Sequence, residues 1–158
     1  MPRTELRGRE RIRSSRARPA PDGWHTVTPR IFADGADELV EFIKEVFEAS
    51  GEYRDSRPSE LRIGDSIVMI ADASARRPTP AFLYVYVADA DATYRRALDA
   101  GATSIEPPSD MPYGDRRGMV EDRWGNVWQI ATHRQRQRAR RRAAPNPRRR
   151  SRDARARR

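Results

Sequence analysis

Gly64-Asp65-Ser66-Ile67-Val68-Met69-Ile70-Ala71 is answered in the second half of the chain by Gly125-Asn126-Val127-Trp128-Gln129-Ile130-Ala131, with a single one-residue gap. Outward from these blocks the match continues. Phe32-Ala33-Asp34 opens an apolar-periodic segment ending at Gly51, and Val87-Ala88-Asp89 opens another ending at Gly101. Stretches 31–72 and 87–132 therefore read as one unit written twice. A repeat of this length exceeds a solenoid unit and implies duplication of a small supersecondary module.

The residue patterns within each copy predict the same order of elements. In the first, the β-branched and aromatic content of His25–Phe32 suits a strand, with Pro29 marking an edge or a bulge. From Ala36 to Ala49 the spacing turns helical, because Leu39, Val40, Phe42, Ile43, Val46 and Phe47 fall on one face and the glutamates elsewhere. Gly51 is expected to end this helix. Strands are predicted at about Glu52–Asp55, Ser59–Ile63 and Ser66–Ala71, with a hairpin turn at Gly64-Asp65. In the second copy, a strand at Ala81–Val87 and a helix at Ala90–Ala100 precede strands at Thr103–Glu106, Gly118–Glu121 and Val127–Thr132. The predicted class is α+β, two βαβββ modules packed together.

The net charge of +9 and a pI near 11.0 suggest nucleic acid as a partner, but the distribution of charge alters that reading. Residues 1–23 hold seven Arg against Glu5, Glu10 and Asp22, which makes +4; residues 134–158 hold thirteen Arg against Asp153, which makes +12. The stretch 24–133 is left with −7. Both arms lack apolar periodicity, so 1–23 and 134–158 are expected to be disordered around a domain at 24–133, built of modules 24–72 and 81–133. Arg runs can hold phosphate through charge alone, so weak nucleic-acid contact through the arms is one expectation. A solvated tail, or an arm folded back on the acidic domain of its own or a neighbouring chain, are the others. The chain has no cysteine, which excludes disulfides, zinc–thiolate sites and cysteine nucleophiles. No apolar run reaches the length of a membrane span, and a cytoplasmic location is the simplest expectation.

The blocks Val27–Phe32, Leu61–Asp72 and, above all, Tyr113-Gly114-Asp115-Arg116-Arg117-Gly118 leading to Trp124-Gly125-Asn126-Val127-Trp128-Gln129 resemble the vicinal oxygen chelate superfamily. That superfamily includes glyoxalases, bleomycin-resistance proteins and extradiol dioxygenases, and the likeness is to its glyoxalase-like branch. It implies two βαβββ modules forming a curved, partly open barrel of mixed sheet, whose concave face usually binds a divalent metal through His and Glu. At the implied ligand positions this chain carries Thr28, Met69, Phe82 and Gln129. A hydroxyl, a thioether, a phenyl ring and a neutral amide are poor donors for such an ion. No metal and no cofactor are therefore expected, with His25 and Glu60 the nearest substitutes.

Strand alternation puts Phe82, Tyr84 and Tyr86 on the cavity side of their strand, opposite Leu83 and Val85, and puts Trp128 and Ile130 on the side away from Gln129. With Thr28, Met69 and Gln129 they would form an apolar pocket with a few orienting polar groups, or simply fill the barrel or a dimer seam. Tyr113 and Arg116 are candidates at the pocket mouth. Arg116 would there clamp an acidic group, or else pair with Asp115 or Asp122. No catalytic residue is evident, and His133 reads as a surface residue. The expected function is metal-free binding of a small molecule, a cationic aromatic one given the −7 domain, at a homodimer interface. The alternatives are a glyoxalase-like lyase or isomerase with an altered metal site, and an arm-mediated nucleic-acid-associated dimerising protein.

Overall fold

The apolar stripe of Leu39, Val40, Ile43, Val46 and Phe47 becomes helix α1, Ala36–Phe47, in a computed structural model that describes residues 19–134. The arms expected at 1–23 and 134–158 lie outside the described residues, apart from 19–23 and Arg134. Helix α1 is preceded by strand β1, Arg30–Ala33, and followed by β2, Ser59–Ile63, and β3, Ser66–Asp72. The second module holds β4 Phe82–Tyr86, α2 Ala90–Asp99, β5 Thr103–Asp110, β6 Asp115–Glu121 and β7 Val127–His133. A single 3₁₀ turn at Ala73–Ala75 leads into the linker.

The two modules make separate sheets. The first has strand order β1-β3-β2 and the second β4-β7-β6-β5. In each, the outer pair is parallel, β1 with β3 and β4 with β7, and the remaining pairs are antiparallel. This is the α+β arrangement expected from the repeat, with sheets that do not close on one another.

The expected strand at Glu52–Asp55 is absent among the described residues, so the first module has three strands where the second has four. Its remnant is one bridge, in which Ser50 and Arg62 exchange backbone hydrogen bonds of 3.1 and 2.8 Å. Residues 52–58 supply no alternating apolar side chains to hold a longer pairing, and Pro58 carries no N–H to donate. The helix also ends earlier than expected, at Phe47, with Glu48 taking a left-handed conformation, φ 54°. Gly51 has a different task. A Cβ there would lie 2.3 Å from the Glu60 carbonyl oxygen, so only glycine lets the chain pass this close to β2.

Both sheets turn one face toward a shared core. Ile31, Ala33, Leu61, Val68 and Ile70 from the first sheet, and Val120, Trp128 and Ile130 from the second, join the apolar faces of α1 and α2 in one cluster. Phe47 packs on Trp128 with ring centroids 4.9 Å apart, and Phe42 meets Trp124 edge-on at 6.1 Å. Arg96 of α2 donates from Nε and Nη2 to the Val46 carbonyl, tying α2 to the last turn of α1. The modules are thus joined through helices and core. Among the described residues, no helix lies on the opposite face of either sheet.

Candidate ligand-binding face

Strand pairing fixes which residues share the uncovered face of the second sheet. Tyr84 lies opposite Gln129, Gln129 opposite Met119, and Met119 opposite Glu106. One row along, Tyr86 lies opposite Ala131 and Ala131 opposite Arg117. Phe82, Tyr84 and Tyr86 line one edge, 65%, 38% and 63% exposed, while Leu83 and Val85 between them pack on the core. Trp128 and Ile130 are fully buried on the far side, as strand alternation requires.

The polar centre of this face is Asp115, only 3% exposed. Its Oδ2 accepts hydrogen bonds from the Tyr84 hydroxyl at 2.6 Å and the Tyr86 hydroxyl at 3.1 Å, and its Oδ1 lies 2.7 Å from His133 Nδ1. These donors, the Tyr84 hydroxyl first and His133 next, hold the Asp115 carboxyl below its ordinary pKa. In return, burial first and then the bond to Asp115 push the Tyr84 phenol well up, and the bond to Asp115 does the same to Tyr86. Both tyrosines are therefore neutral donors, and a carboxylate can only accept. His133 must then carry its proton on Nδ1, which leaves Nε2 as the second nitrogen of a largely exposed ring. Tyr113 sits in the turn before β6, exposed, beside Tyr84.

Arg116 and Arg117 point to opposite sides of β6 and do different things. Arg116 turns toward α2, where Nε and Nη2 grip Asp91 at 2.8 and 2.7 Å, with Asp110 at 3.4 Å. Arg116 in turn depresses the Asp91 carboxyl. The pairing with Asp115 or Asp122 weighed from sequence does not occur, because alternation sends Arg116 to the helix side and Asp115 to the open side. Arg117 shares the open face with Tyr86, pairs with Glu106, and keeps a buried Nε with no hydrogen-bond partner among the described residues. Asp115 and Arg117 flank Arg116 in the candidate loop that begins at Tyr113, whereas Glu106 and His133 carry no expected role in the sequence pattern. The signal that finds them is the register of the last hairpin, counted back from Glu121 opposite Val127.

The first-module candidates lie elsewhere. Met69 is opposite Arg30 and Glu60 on the uncovered face of the first sheet, and half-buried Thr28 precedes β1. No strand pairing connects this face to the one bearing Tyr84 and Gln129. One chain therefore brings Phe82, Tyr84, Tyr86 and Gln129 together, with Tyr113 at their edge. Thr28 and Met69 sit on another surface, and Arg116 is engaged behind the sheet.

The metal that the superfamily resemblance implies does not fit these side chains. Gln129 has Tyr84 and Met119 as neighbours, Met69 has Arg30 and Glu60, and Glu60 is paired with Arg54 at 3.6 Å. His25 faces Ser66 and Asp65 instead. Among the described residues, no three His, Cys, Asp or Glu side chains are grouped so as to hold an ion.

Comparison with known proteins agrees with this fold. Residues 6–130 match the family model of the glyoxalase/bleomycin resistance protein/dioxygenase superfamily. The chain belongs to that superfamily. An uncharacterized protein of Mycobacterium bovis is 30% identical over 123 residues, covering 66% of this chain and 81% of its own length. Among solved structures, TioX from Micromonospora sp. ML1 is similar with a TM-score of 0.60 and 26% identity, over 68% of this chain and 97% of that one. A glyoxalase/bleomycin resistance protein/dioxygenase family enzyme from Burkholderia phytofirmans has a TM-score of 0.58 and 20% identity, over 67% and 96%. Among the described residues no helix is long and apolar enough to cross a membrane.

Proposed function

We propose that this chain is a metal-free small-molecule-binding protein of its superfamily, which sequesters a cationic aromatic ligand on the face formed by Phe82, Tyr84, Tyr86 and Gln129. The observation that carries the reading is the exposure of three aromatic rings in a row beside a charged Asp115. Tyrosine and phenylalanine faces attract cations, and the carboxylate behind them strengthens the negative potential. Two copies complete the pocket: a homodimer lays the Met69 face of one chain over the Tyr84 face of the other, gathering Thr28 and Met69 with Tyr113 and Gln129. Support for this comes from the two open sheet faces, which no strand pairing among the described residues joins. The cysteine-free composition accords with a cytoplasmic location.

Titration with a panel of cationic aromatic compounds, followed by intrinsic fluorescence at low and high salt, tests the reading. Saturable quenching that weakens with salt and is lost in Phe82→Ala/Tyr86→Ala is the expected result. Silence across the panel, or stoichiometric metal in purified protein, overturns it.

One observation favours a second reading, a lyase or isomerase with an altered site. His133, oriented through Nδ1 by a buried carboxylate, presents Nε2 in the arrangement of a general base. Turnover of a carbonyl or hemithioacetal substrate that disappears in His133→Ala would establish it. The nucleic-acid reading rests on the arms outside the described residues, and salt-sensitive DNA binding that survives their deletion would remove them as its source.

A further inference from the structure

Helix α1 shows a row of carboxylates to solvent. Asp37, Glu41 and Glu45 follow one another at four-residue spacing, with Glu38 beside them, so like charges stack along one side of the helix. Lys44 answers Glu41 at 3.1 Å and is shared with Glu52 at 3.1 Å, and Arg123 answers Glu38. Asp37 and Glu45 have no ion-pair partner among the described residues.

These carboxylates border a groove of about 460 Å³ whose apolar walls are Phe42, Tyr53 and Trp124. That is the size of a small-molecule pocket, which spans roughly 300–1,000 Å³. Burial first, and then the charge of Asp37, push the Tyr53 hydroxyl upward. The groove already holds one guanidinium: Arg123 lies over the Trp124 ring, 4.3 Å from its centroid, while pairing with Glu38. An aromatic face with carboxylates at its rim is suited to arginine, whose planar cation stacks and pairs at once. The stacking of Arg123 on Trp124 is independent of the Asp37–Glu41–Glu45 row, which extends the same chemistry along the helix.

The chain itself carries the complementary group. Residues 135–158 contain twelve Arg and one acidic residue, Asp153, with three-arginine runs at 140–142 and 148–150. They begin after Arg134, which is held at the end of β7 by Gly114 and Asp110. The groove is at the other end of β7, by Trp124, so the gap is about the length of a seven-residue strand, roughly 23 Å. Twenty-four residues extend to about 80 Å at most, so either run can reach it.

We propose that segment 135–158 docks its arginines in the α1 groove of its own chain, against Asp37, Glu41, Glu45 and Trp124. Part of the charge of the basic segment is then offset by the acidic residues of the helix, and a polyanion that binds the arginines must first displace them from it.

The absence of cysteine makes the test clean. Full-length ¹⁵N protein with Ala144→Cys carries a single nitroxide label, and amide broadening is mapped. The expected result is broadening of the Asp37–Glu45 amides and the Trp124 indole N–H, reduced several-fold at about 0.5 M salt, where screening is short-ranged. The same loss is expected in Asp37→Asn/Glu41→Gln/Glu45→Gln and in Arg140→Ser/Arg141→Ser/Arg142→Ser, the latter leaving the domain untouched. Broadening confined to another face, spread evenly, or unchanged in the segment variant overturns the proposal. So does broadening that appears equally when labelled ¹⁴N chains are mixed with unlabelled ¹⁵N chains, which would make the occupant a neighbour's segment.

Discussion

Tyr84 on β4 and Asp115 on β6 are joined by a 2.6 Å hydrogen bond that spans the intervening strand β7. Two strands that never pair are thereby coupled through a charged acceptor, and Tyr86 and His133 converge on the same carboxylate. The aromatic edge of the face and its charge are one unit, and several outcomes depend on it.

Alkaline titration should reveal the coupling. Tyr84, through burial first and its bond to Asp115 next, and Tyr86, through its bond to Asp115 first and then burial, are both raised above the ordinary tyrosine value, near 10. Their contribution to stability is complete below that value and is lost as pH rises through the raised folded values. In Asp115→Asn, tyrosinate absorbance should develop at lower pH than in the parent. An unchanged titration would show that the bonds to Asp115 do not persist in solution.

On the acid side the sign reverses. Asp91 and Asp115 are both depressed in the folded protein, so the stability they contribute is present above the ordinary carboxylate value near 3.9 and disappears as pH falls through their lower folded values. Urea midpoints measured between about pH 7 and pH 2 should fall more steeply in the parent than in Arg116→Ala, which removes the Asp91 share. Parallel curves would contradict the assignment.

Removing one arginine at a time should separate architecture from binding. Arg116→Ala releases β6 from α2 and should lower the melting temperature while leaving the affinity for a cationic aromatic compound within about twofold, since its charge lies behind the sheet. Arg117→Ala should instead raise that affinity severalfold, because Arg117 shares the open face with Tyr86, across Ala131, and its charge there opposes a cation. Calorimetric titration of both variants distinguishes them.

Asp122 organises the last hairpin. Its two oxygens accept from the Trp124 and Asn126 amides, the Asn126 side chain and the Trp128 indole, all at 2.9 Å. Asp122→Ala leaves these donors in a buried site and should cost about 1–3 kcal/mol by urea unfolding. Trp128→Ala, which empties the space against Phe47, should cost about 3–5 kcal/mol.

Gly51→Ala tests a single close approach. With φ 127° and a Cβ directed at the Glu60 carbonyl, the substitution forces β2 and the residue 48–51 turn apart. A loss of about 2 kcal/mol or more is expected, and a neutral result would mean that the bridge from Ser50 to Arg62 is dispensable.

Local periodicity made most of the fold legible. The stripe from Leu39 to Phe47 specifies a helix, and the alternation of Phe82 to Tyr86 specifies a strand with one aromatic face, because side-chain direction depends only on backbone repeat. The strand expected at Glu52–Asp55 does not form for the complementary reason: strand formation needs a partner, and in this stretch of the described residues only Ser50 finds one. Similarly, the Thr103–Glu106 strand extends to Asp110 because β6 supplies its partner through two register shifts that no local pattern announces.

Residues along the chain already specify the duplicated module, the superfamily, the poor metal donors at Thr28, Met69, Phe82 and Gln129, and the contrast between an acidic stretch 24–133 and its basic flanks. Which polar groups meet is set by long-range pairing instead. That Asp115 faces Tyr84 while Arg116 faces Asp91 depends on β6 register, and a slip of one residue would exchange the two faces. The separation of Met69 from Tyr84 is likewise tertiary, since it follows from both modules burying one sheet face against the shared helices and core. Pairing and burial are long-range choices among many residues, which is why they cannot be read from neighbours along the chain.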